Sequence, residues 1–407
     1  MMSFFTQMTK PQRTGLLFVI LILFIDMLLY SLLIPIVPYF SETLQPSSTM
    51  MGVLFSSYAV AMLLATPIFG PISDRLGRRT VLLVGLVGLA ASTLLFAFSE
   101  TMALLITARF VQGIAAAATW PTALALLADL FPPKMRGAVM GTALTAISTG
   151  TLLGAPIGGW LFEISDHRTP FLAAAAFTVI NIVLVYLFLK EETARTASEK
   201  LLVGKFLRNP QVVFIAGIVL LAEVSLCLLE PTLPVFLTQK LSITPTVIGL
   251  LFGAMTLAYG LIAPVAGSLS GRFNPYKLMF AGVVALAVFM PFLVWADSLW
   301  QAGIAMALVG ASVGFTLSPT LPTLGGIIDQ GGSGAYGTAY SLFNMFHGIG
   351  MVAGPLAGGI LTDLLPVSSA LLVVAAAVLG FGTLLFIQLK ASKAVRYSAQ
   401  KGEMHTP

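Results

Sequence analysis

The sequence predicts an all-α membrane protein, twelve transmembrane helices in two six-helix bundles, and three observations carry that prediction. Of its 407 residues 57% are hydrophobic and 9% are charged, against about 25% charged in a soluble domain, so most of the chain faces lipid or other apolar helices. Twelve uninterrupted apolar stretches lie near residues 15–40, 51–72, 80–98, 102–127, 138–162, 170–189, 211–237, 246–270, 277–296, 299–324, 335–361 and 368–389. Each is long enough for the ~20 residues that a bilayer requires. The third observation is an internal repeat: Gly52–Arg75 recurs as Gly249–Arg272, 197 positions on, with nine of 24 residues identical. Pro35-Ile36-Val37-Pro38 recurs as Pro231-Thr232-Leu233-Pro234, and the run Gly154–Gly159 as Gly354–Gly359. A duplication of this length, built of apolar helices, implies a secondary transporter rather than a solenoid.

The elements follow in order. Residues 1–189 form an amino-terminal six-helix bundle, 190–210 a cytoplasmic linker, 211–390 a carboxy-terminal six-helix bundle and 391–407 a cytoplasmic tail. The first stretch begins beyond Lys10 and Arg13, runs too long for a signal peptide and meets no small-residue cleavage site, so it is a retained span. With the amino terminus inside, 18 of the 21 Lys and Arg residues fall on the cytoplasmic side. Arg168 and Lys240 fall outside and Arg109 within a helix, which puts both termini in the cytoplasm. Topology thereby accounts for the net charge of +5, and a nucleic-acid partner has no support. Cys227, the single cysteine, forms no internal disulfide and reads as packing. Neither a glycosylation sequon nor a long external loop is present, which fits a prokaryotic plasma (inner) membrane.

Acids placed among apolar residues are the candidates for chemistry. Asp26 lies about 11 residues into its helix, roughly 16 Å deep at ~1.5 Å per residue. A carboxylate there costs ~2.5–3.5 kcal/mol on insertion scales and faces a cavity or a partner; the alternative is a protonated or hydrogen-bonded packing residue. Glu230 directly precedes the repeated proline pair, so its symmetry mate is Ile34, eight residues and ~12 Å beyond Asp26. The two acids thus sit in related helices at different depths, and the alternative for Glu230 is a capping acid near a helix break. Burial favours a neutral carboxyl and a bound cation favours the charged one. A proton and a cationic compound therefore compete for one group, which suffices for antiport if neither site crosses the conformational barrier empty and charged. Arg109, a cation within the fourth helix, requires an acceptor and either polarises a proton site or snorkels. Gly310-Ala311-Ser312-Val313-Gly314 satisfies the hydrolase nucleophile pattern but lies inside a lipid-length helix with no preceding strand. Gly348–Ala353 imitates a dinucleotide fingerprint and fails likewise. No nucleotide-binding P-loop is present, no cofactor or metal is implied, and the proton gradient is the expected energy source.

At this point the motifs resemble a known family. Gly70-Pro71-Ile72-Ser73-Asp74-Arg75-Leu76-Gly77-Arg78-Arg79 resembles the loop signature between helices two and three of the major facilitator superfamily, and Arg109-Phe110-Val111-Gln112-Gly113 its fourth-helix motif. Gly150 with Gly154-Ala155-Pro156-Ile157-Gly158-Gly159 is similar to the fifth-helix motif of its drug:proton antiporters. A narrower resemblance is to the vesicular monoamine transporters and their bacterial multidrug relatives. Asp26 stands nine residues before Pro35, as the amine-binding aspartate does there, and Leu229-Glu230-Pro231-Thr232-Leu233-Pro234 matches their seventh-helix acidic motif. Tyr58, Leu317 and Asn344 stand where the vesicular proteins carry a lysine and two aspartates, which favours a broad drug exporter.

What the resemblance implies is a cytoplasmic latch: Asp74 at the end of helix eleven, and Arg78 on the acid at the end of helix four, here Asp129, with Arg75 and Arg79 in the same turn. The alternatives are a solvated loop and, for Asp129, a third coupling carboxyl. Gly150, Gly154, Gly158 and Gly159 let helices approach closely and Pro156 bends one. Met27, Tyr30, Tyr58, Met62, Trp120, Tyr259, Phe343, Asn344 and Phe346 are candidates to line a promiscuous cavity, since flat rings bind cations and thioethers adapt to shape; packing is the alternative for each. His347 reads as a hydrogen-bonded packing histidine. The expectation is a monomeric proton-coupled exporter of lipophilic, often cationic drugs, working by alternating access around a cavity between the halves. Its rivals are an uptake carrier on the same fold and a non-transporting membrane sensor or scaffold.

Overall fold

The computed structural model describes residues 8–189, 209–331 and 336–403, and the described residues contain helices and turns but no strand. Twelve helical spans long and apolar enough to cross a membrane lie among them. The first six are Lys10–Leu44, Ser48–Leu76, Arg78–Ala97, Met102–Leu130, Met135–Ile164 and Thr169–Phe188. The last six are Pro210–Leu241, Pro245–Ser270, Pro275–Trp295, Leu299–Asp329, Leu342–Leu364 and Val367–Ala391. The predicted linker lies outside the described residues apart from Asn209 and Pro210, and the final helix runs on to Glu403.

Local chemistry sets where these helices start and bend. Thr9 and Gln12 form a reciprocal capping box ahead of the first span, and Ser47, Thr101, Asn274 and Ser298 cap later helix starts through their side-chain oxygens, satisfying amides that lack an intrahelical partner. Pro35 lacks an N–H, so the helix Lys10–Leu32 passes through the tight turn Ile34–Ile36 and resumes as Val37–Leu44. One residue, Gly77, separates the second and third spans with φ 90° and ψ 149°, a conformation open to glycine without strain.

The repeat is visible in the backbone. Among the described residues the two non-glycine positions with positive φ are Gln45 (44°) and Ser242 (51°), which are 197 apart like the repeated segments. Each follows the end of its span, at Leu44 and at Leu241.

Packing gathers the chain into two compact units. The first comprises the described residues up to 189 with Leu228–Thr256 and Pro355–Asp363. Inside it the fifth span lies against the eighth through Gly249, where an added Cβ would overlap the Ala155 carbonyl, and the eleventh lies against the second through Gly52, whose Cβ would overlap the Pro355 carbonyl. Backbones this close exist only where glycine stands on one of them, the usual device of membrane helix pairs. On the sixth span Ile180, Val183 and Leu187 are exposed in one stripe, the face such a helix turns to hydrocarbon.

The second unit comprises 209–227, Leu257–Gly354 and the chain from Leu364. In it the ninth span packs on the tenth at Gly282, where a Cβ would overlap the Thr316 hydroxyl.

Candidate functional site

Within the first unit the first, second, fourth and seventh spans bring together five of the residues singled out in the sequence. Asp26 is fully buried. One of its carboxylate oxygens accepts a hydrogen bond of 3.4 Å from the Thr119 hydroxyl and the other has no hydrogen-bond partner. Four residues on, the Tyr30 phenol donates to Glu230 Oε2 at 2.7 Å, which joins the first span to the seventh.

Arg109 is fully buried in the fourth span. Its guanidinium donates to Gln112 Oε1 at 2.8 Å and to the Tyr30 carbonyl at 3.2 Å, so the acceptors it requires are an amide and a backbone oxygen. It lies 4.6 Å from the Tyr30 ring centroid, 5.3 Å from that of Tyr58 and 5.4 Å from that of Phe55. Desolvated contacts of this kind contribute about 2 kcal/mol each, which helps a cation persist away from water. Tyr30 and Tyr58 meet edge to face at 5.1 Å. Tyr30 thus touches Arg109 with its carbonyl and its ring and Glu230 with its hydroxyl, while Asp26 lies one turn away on the same helix. Gly113 makes room for this, since a Cβ there would overlap the Tyr58 carbonyl.

The other predicted residues are distributed. Met27 packs beside Gly150 and Gly154 against Leu28 and Ser31, and Gly158 against Leu32, so this glycine row is the seam between the first and fifth spans. Gly159 faces Pro245 and Pro156 faces Gly253. Trp120 follows Thr119 and is part-buried, and the carbonyl of Met62 accepts from Thr66. Tyr259, Phe343, Asn344 and Phe346 belong to the second unit; of these Asn344 is exposed, and Phe343 stacks on His347 with ring centroids 6.2 Å apart.

At the predicted latch, the buried Arg78 donates to Asp129 Oδ2 at 3.0 Å and to Ser73 Oγ at 2.6 Å, and pairs with Asp74 Oδ1 at 2.6 Å. Arg79 donates to the Tyr186 carbonyl and lies 5.2 Å from its ring, while Arg75 ends the second span. The contact of Asp74 with the start of the eleventh helix falls on side chains outside the described residues.

Three acids escaped the sequence reading. Glu163 accepts from the Thr246 amide at 2.6 Å. Asp363 accepts from the Ser48 and Thr49 amides at 2.8 and 2.9 Å and from the Thr49 hydroxyl at 2.6 Å. Glu223, buried in the seventh span, has Oε1 2.8 Å from His347 Nδ1. The repeat offered a signal for Glu223, which stands eight residues before Pro231 as Asp26 stands nine before Pro35.

Comparison with known proteins places this geometry. The family described as Major Facilitator Superfamily matches residues 19–228 and 213–404. The chain is 29% identical over 327 residues to the chromaffin granule amine transporter of Rattus norvegicus, covering 80% of this chain and 63% of that protein. It is 30% identical over 317 residues to the vesicular acetylcholine transporter of the same species, covering 76% of this chain and 60% of that protein. The chain therefore spans about three-fifths of the length of these relatives. A bacterial homologue of the human lysosomal transporter Spinster, in an inward-facing and unoccupied conformation, superposes with a TM-score of 0.76 at 15% identity, over 97% of this chain and 98% of that one. The human organic anion transporter MFSD10 superposes with a TM-score of 0.63 at 21% identity, over 94% and 100%. These two likenesses bear on the fold alone.

Proposed function

The chain belongs to the Major Facilitator Superfamily and is a transporter rather than an enzyme, and from that premise we propose that it exports lipophilic, often cationic compounds in exchange for protons. The observation that carries the reading is Asp26: a fully buried carboxylate with one oxygen that accepts no hydrogen bond, beside Trp120 and within electrostatic reach of the Arg109 guanidinium, whose own hydrogen bonds go to Gln112 and the Tyr30 carbonyl. A protonated amine and a proton are the two ligands such a group accepts, and each excludes the other. The names of the related amine transporters point to the same substrate chemistry.

Glu230 is the second proton site of this reading. While it is charged, it accepts the Tyr30 hydrogen bond; its protonation weakens that bond between the first and seventh spans, which ties proton binding to the helix movement that alternating access requires. Arg109 holds Tyr30 in place from the other side. The Arg78 cluster fixes the ends of the second, third and fourth spans as a latch. In the same reading the protein is a monomer of a bacterial plasma membrane with both termini cytoplasmic, its halves are residues 1–189 and 211–390, and the proton gradient drives it without a cofactor.

The test is proton movement in proteoliposomes with an imposed pH gradient. Ethidium is expected to dissipate the gradient with the wild type and not with Asp26→Asn or Glu230→Gln. No dissipation by any lipophilic cation in the wild type would replace export with an uptake carrier for another solute, and full activity in either variant would remove that residue from the mechanism.

A further inference from the structure

The second unit contains a buried acid that the mechanism above does not use. Glu223 lies in the seventh span with its side chain 7% exposed, and His347 of the eleventh span brings Nδ1 to 2.8 Å from Oε1. Three features make this a built contact. Gly350, nearly one turn beyond His347, lies against Glu223 so closely that a Cβ there would overlap the glutamate side chain, so the eleventh span is held on the seventh at this height. Phe343, one turn before His347, stacks on the imidazole with planes 11° apart, which fixes the ring. Tyr259 of the eighth span is part-buried and within electrostatic reach of Glu223. Among the described residues, Glu223, His347 and Tyr259 are the titratable groups that engage one another here.

The position repeats that of Asp26. Offset from the duplicated proline pair, Asp26 corresponds to Ala222, the residue before Glu223, so each half carries one buried acid at nearly the same depth in the equivalent helix. In the first half no imidazole stands beside the acid, whereas in the second it does. A carboxylate and an imidazole in contact hold one proton between them as an ion pair, lose it to become a single negative charge, or gain one to become a single positive charge. Imidazole makes the first of these exchanges accessible between about pH 5 and 8.

We propose that Glu223 and His347 form a further proton-binding site, carried entirely within the second unit, that loads and releases one proton in each transport cycle in addition to those exchanged at Asp26 and Glu230. It rests on the antiport reading for its role in the cycle and on the geometry alone for its existence. Oε1 of Glu223 faces the His347 imidazole at 2.8 Å, a titratable cation partner that Asp26 lacks, so the ligand of this site is the proton and not the drug.

Two measurements test it, on Glu223→Gln and on His347→Gln in case one variant folds poorly. The first is the 15N signature of the His347 side chain at pH 7 in the full-length protein, assigned by its loss in His347→Gln. An imidazolium is expected in the wild type and a neutral ring in Glu223→Gln, and an unchanged signature would overturn the site. The second is the proton:ethidium ratio, from the reversal potential in proteoliposomes. Both variants are expected to exchange ethidium for protons with about one proton fewer per cycle. A changed ring with an unchanged ratio would make the pair a static ion pair and overturn its part in transport. A wild type that moves no proton would sink the antiport reading and this role together, whereas wild-type exchange at an unaltered ratio sinks the role alone.

Discussion

The two ends of the first compact unit are held in different ways. At one end the two repeats grip each other twice over. Glu163, at the end of the fifth span, accepts from the amide of Thr246 at the start of the eighth, and Asp363, at the end of the eleventh, accepts from the amides of Ser48 and Thr49 at the start of the second. Thr49 and Thr246 are 197 apart, and Glu163 and Asp363 are 200 apart, as are Gly159 and Gly359, which press on the same two helix starts. At the other end Arg78, Asp74 and Asp129 form one ion cluster inside the first half. Its repeat counterparts, Gly271 for Asp74 and Pro275 for Arg78, carry no charge. One end is thus a reciprocal clasp between halves, made of carboxylates on helix amino termini; the other is a brace within one half. In the proposed cycle, rocking one half against the other would break the clasp and leave the brace intact. The contrast teaches that the symmetric contact is the one such a movement has to open.

The strongest way to break this comparison is to spoil the backbone approach beneath the clasp. Gly52→Val with Gly249→Val forces side chains onto the Pro355 and Ala155 carbonyls. Overpacking costs about 1–3 kcal/mol per site, so the closed form of this end is expected to lose at least a factor of roughly 30 in population. A thiol placed at the buried Val37, in a Cys227→Ser background, should then be alkylated at least tenfold faster, to order of magnitude. An unchanged rate would show that glycine contact does not hold this end shut.

Next in size is Asp129→Asn. It leaves the 7% exposed Arg78 with Asp74 as its remaining carboxylate. Removing one partner of a fully buried pair costs about 3–5 kcal/mol, and since Asp129 is 20% exposed a loss of about 2 kcal/mol is expected, seen as a lower unfolding midpoint in detergent. Labelling at Val37 should not change. If it rises, the brace acts on the clasp and the two ends are not independent.

Smaller still is removal of the caps. Asp363→Ala and Glu163→Ala each delete a solvent-exposed carboxylate on a helix start, worth about 0.5–1 kcal/mol at such positions. Together they should open this end roughly 5- to 30-fold by Val37 alkylation. Asp363→Ala is expected to exceed Glu163→Ala, since it removes three hydrogen bonds. Were only one of the two to matter, the clasp would not be reciprocal.

The architecture was legible because bilayers permit few solutions. Lipid-length apolar runs and a proline and glycine pattern written twice specify twelve helices and a duplication, and each of the twelve predicted stretches overlaps an observed span. The site was legible as residues more than as contacts. Asp26, Tyr30, Tyr58, Arg109 and Glu230 stand out as polar or aromatic groups in apolar helices, yet no local rule links Tyr30 to Glu230, 200 positions away. Gln112 as the acceptor for Arg109 was equally hidden, because a glutamine in a helix advertises no partner. Glu163 and Asp363 escaped for a different reason: every span ends in polar residues, and a cap across the repeat looks in sequence like any surface charge. Glu223 escaped although the register that pairs Glu230 with Ile34 also pairs Asp26 with the residue beside it.

The smallest effect separates local capping from the clasp. Asp166 accepts from the Arg168 and Thr169 amides and from the Thr169 hydroxyl, capping the sixth span inside its own half, and the residue 200 positions on is Pro366. The hydrogen bond from the Thr169 hydroxyl, with those from the two amides, holds its carboxyl below the usual aspartate range. A depressed folded value means that any contribution to stability is complete above the unfolded carboxyl's pKa and fades as pH falls through the lower folded one. Asp166→Ala should therefore lower the unfolding midpoint slightly at pH 7, and the gap should close as the pH drops below about 4. Labelling at Val37 should match the wild type throughout, since this carboxylate reaches no helix of the other repeat. A faster rate would mean that a cap confined to one half also governs closure, and the distinction between clasp and brace would fail at its weakest point.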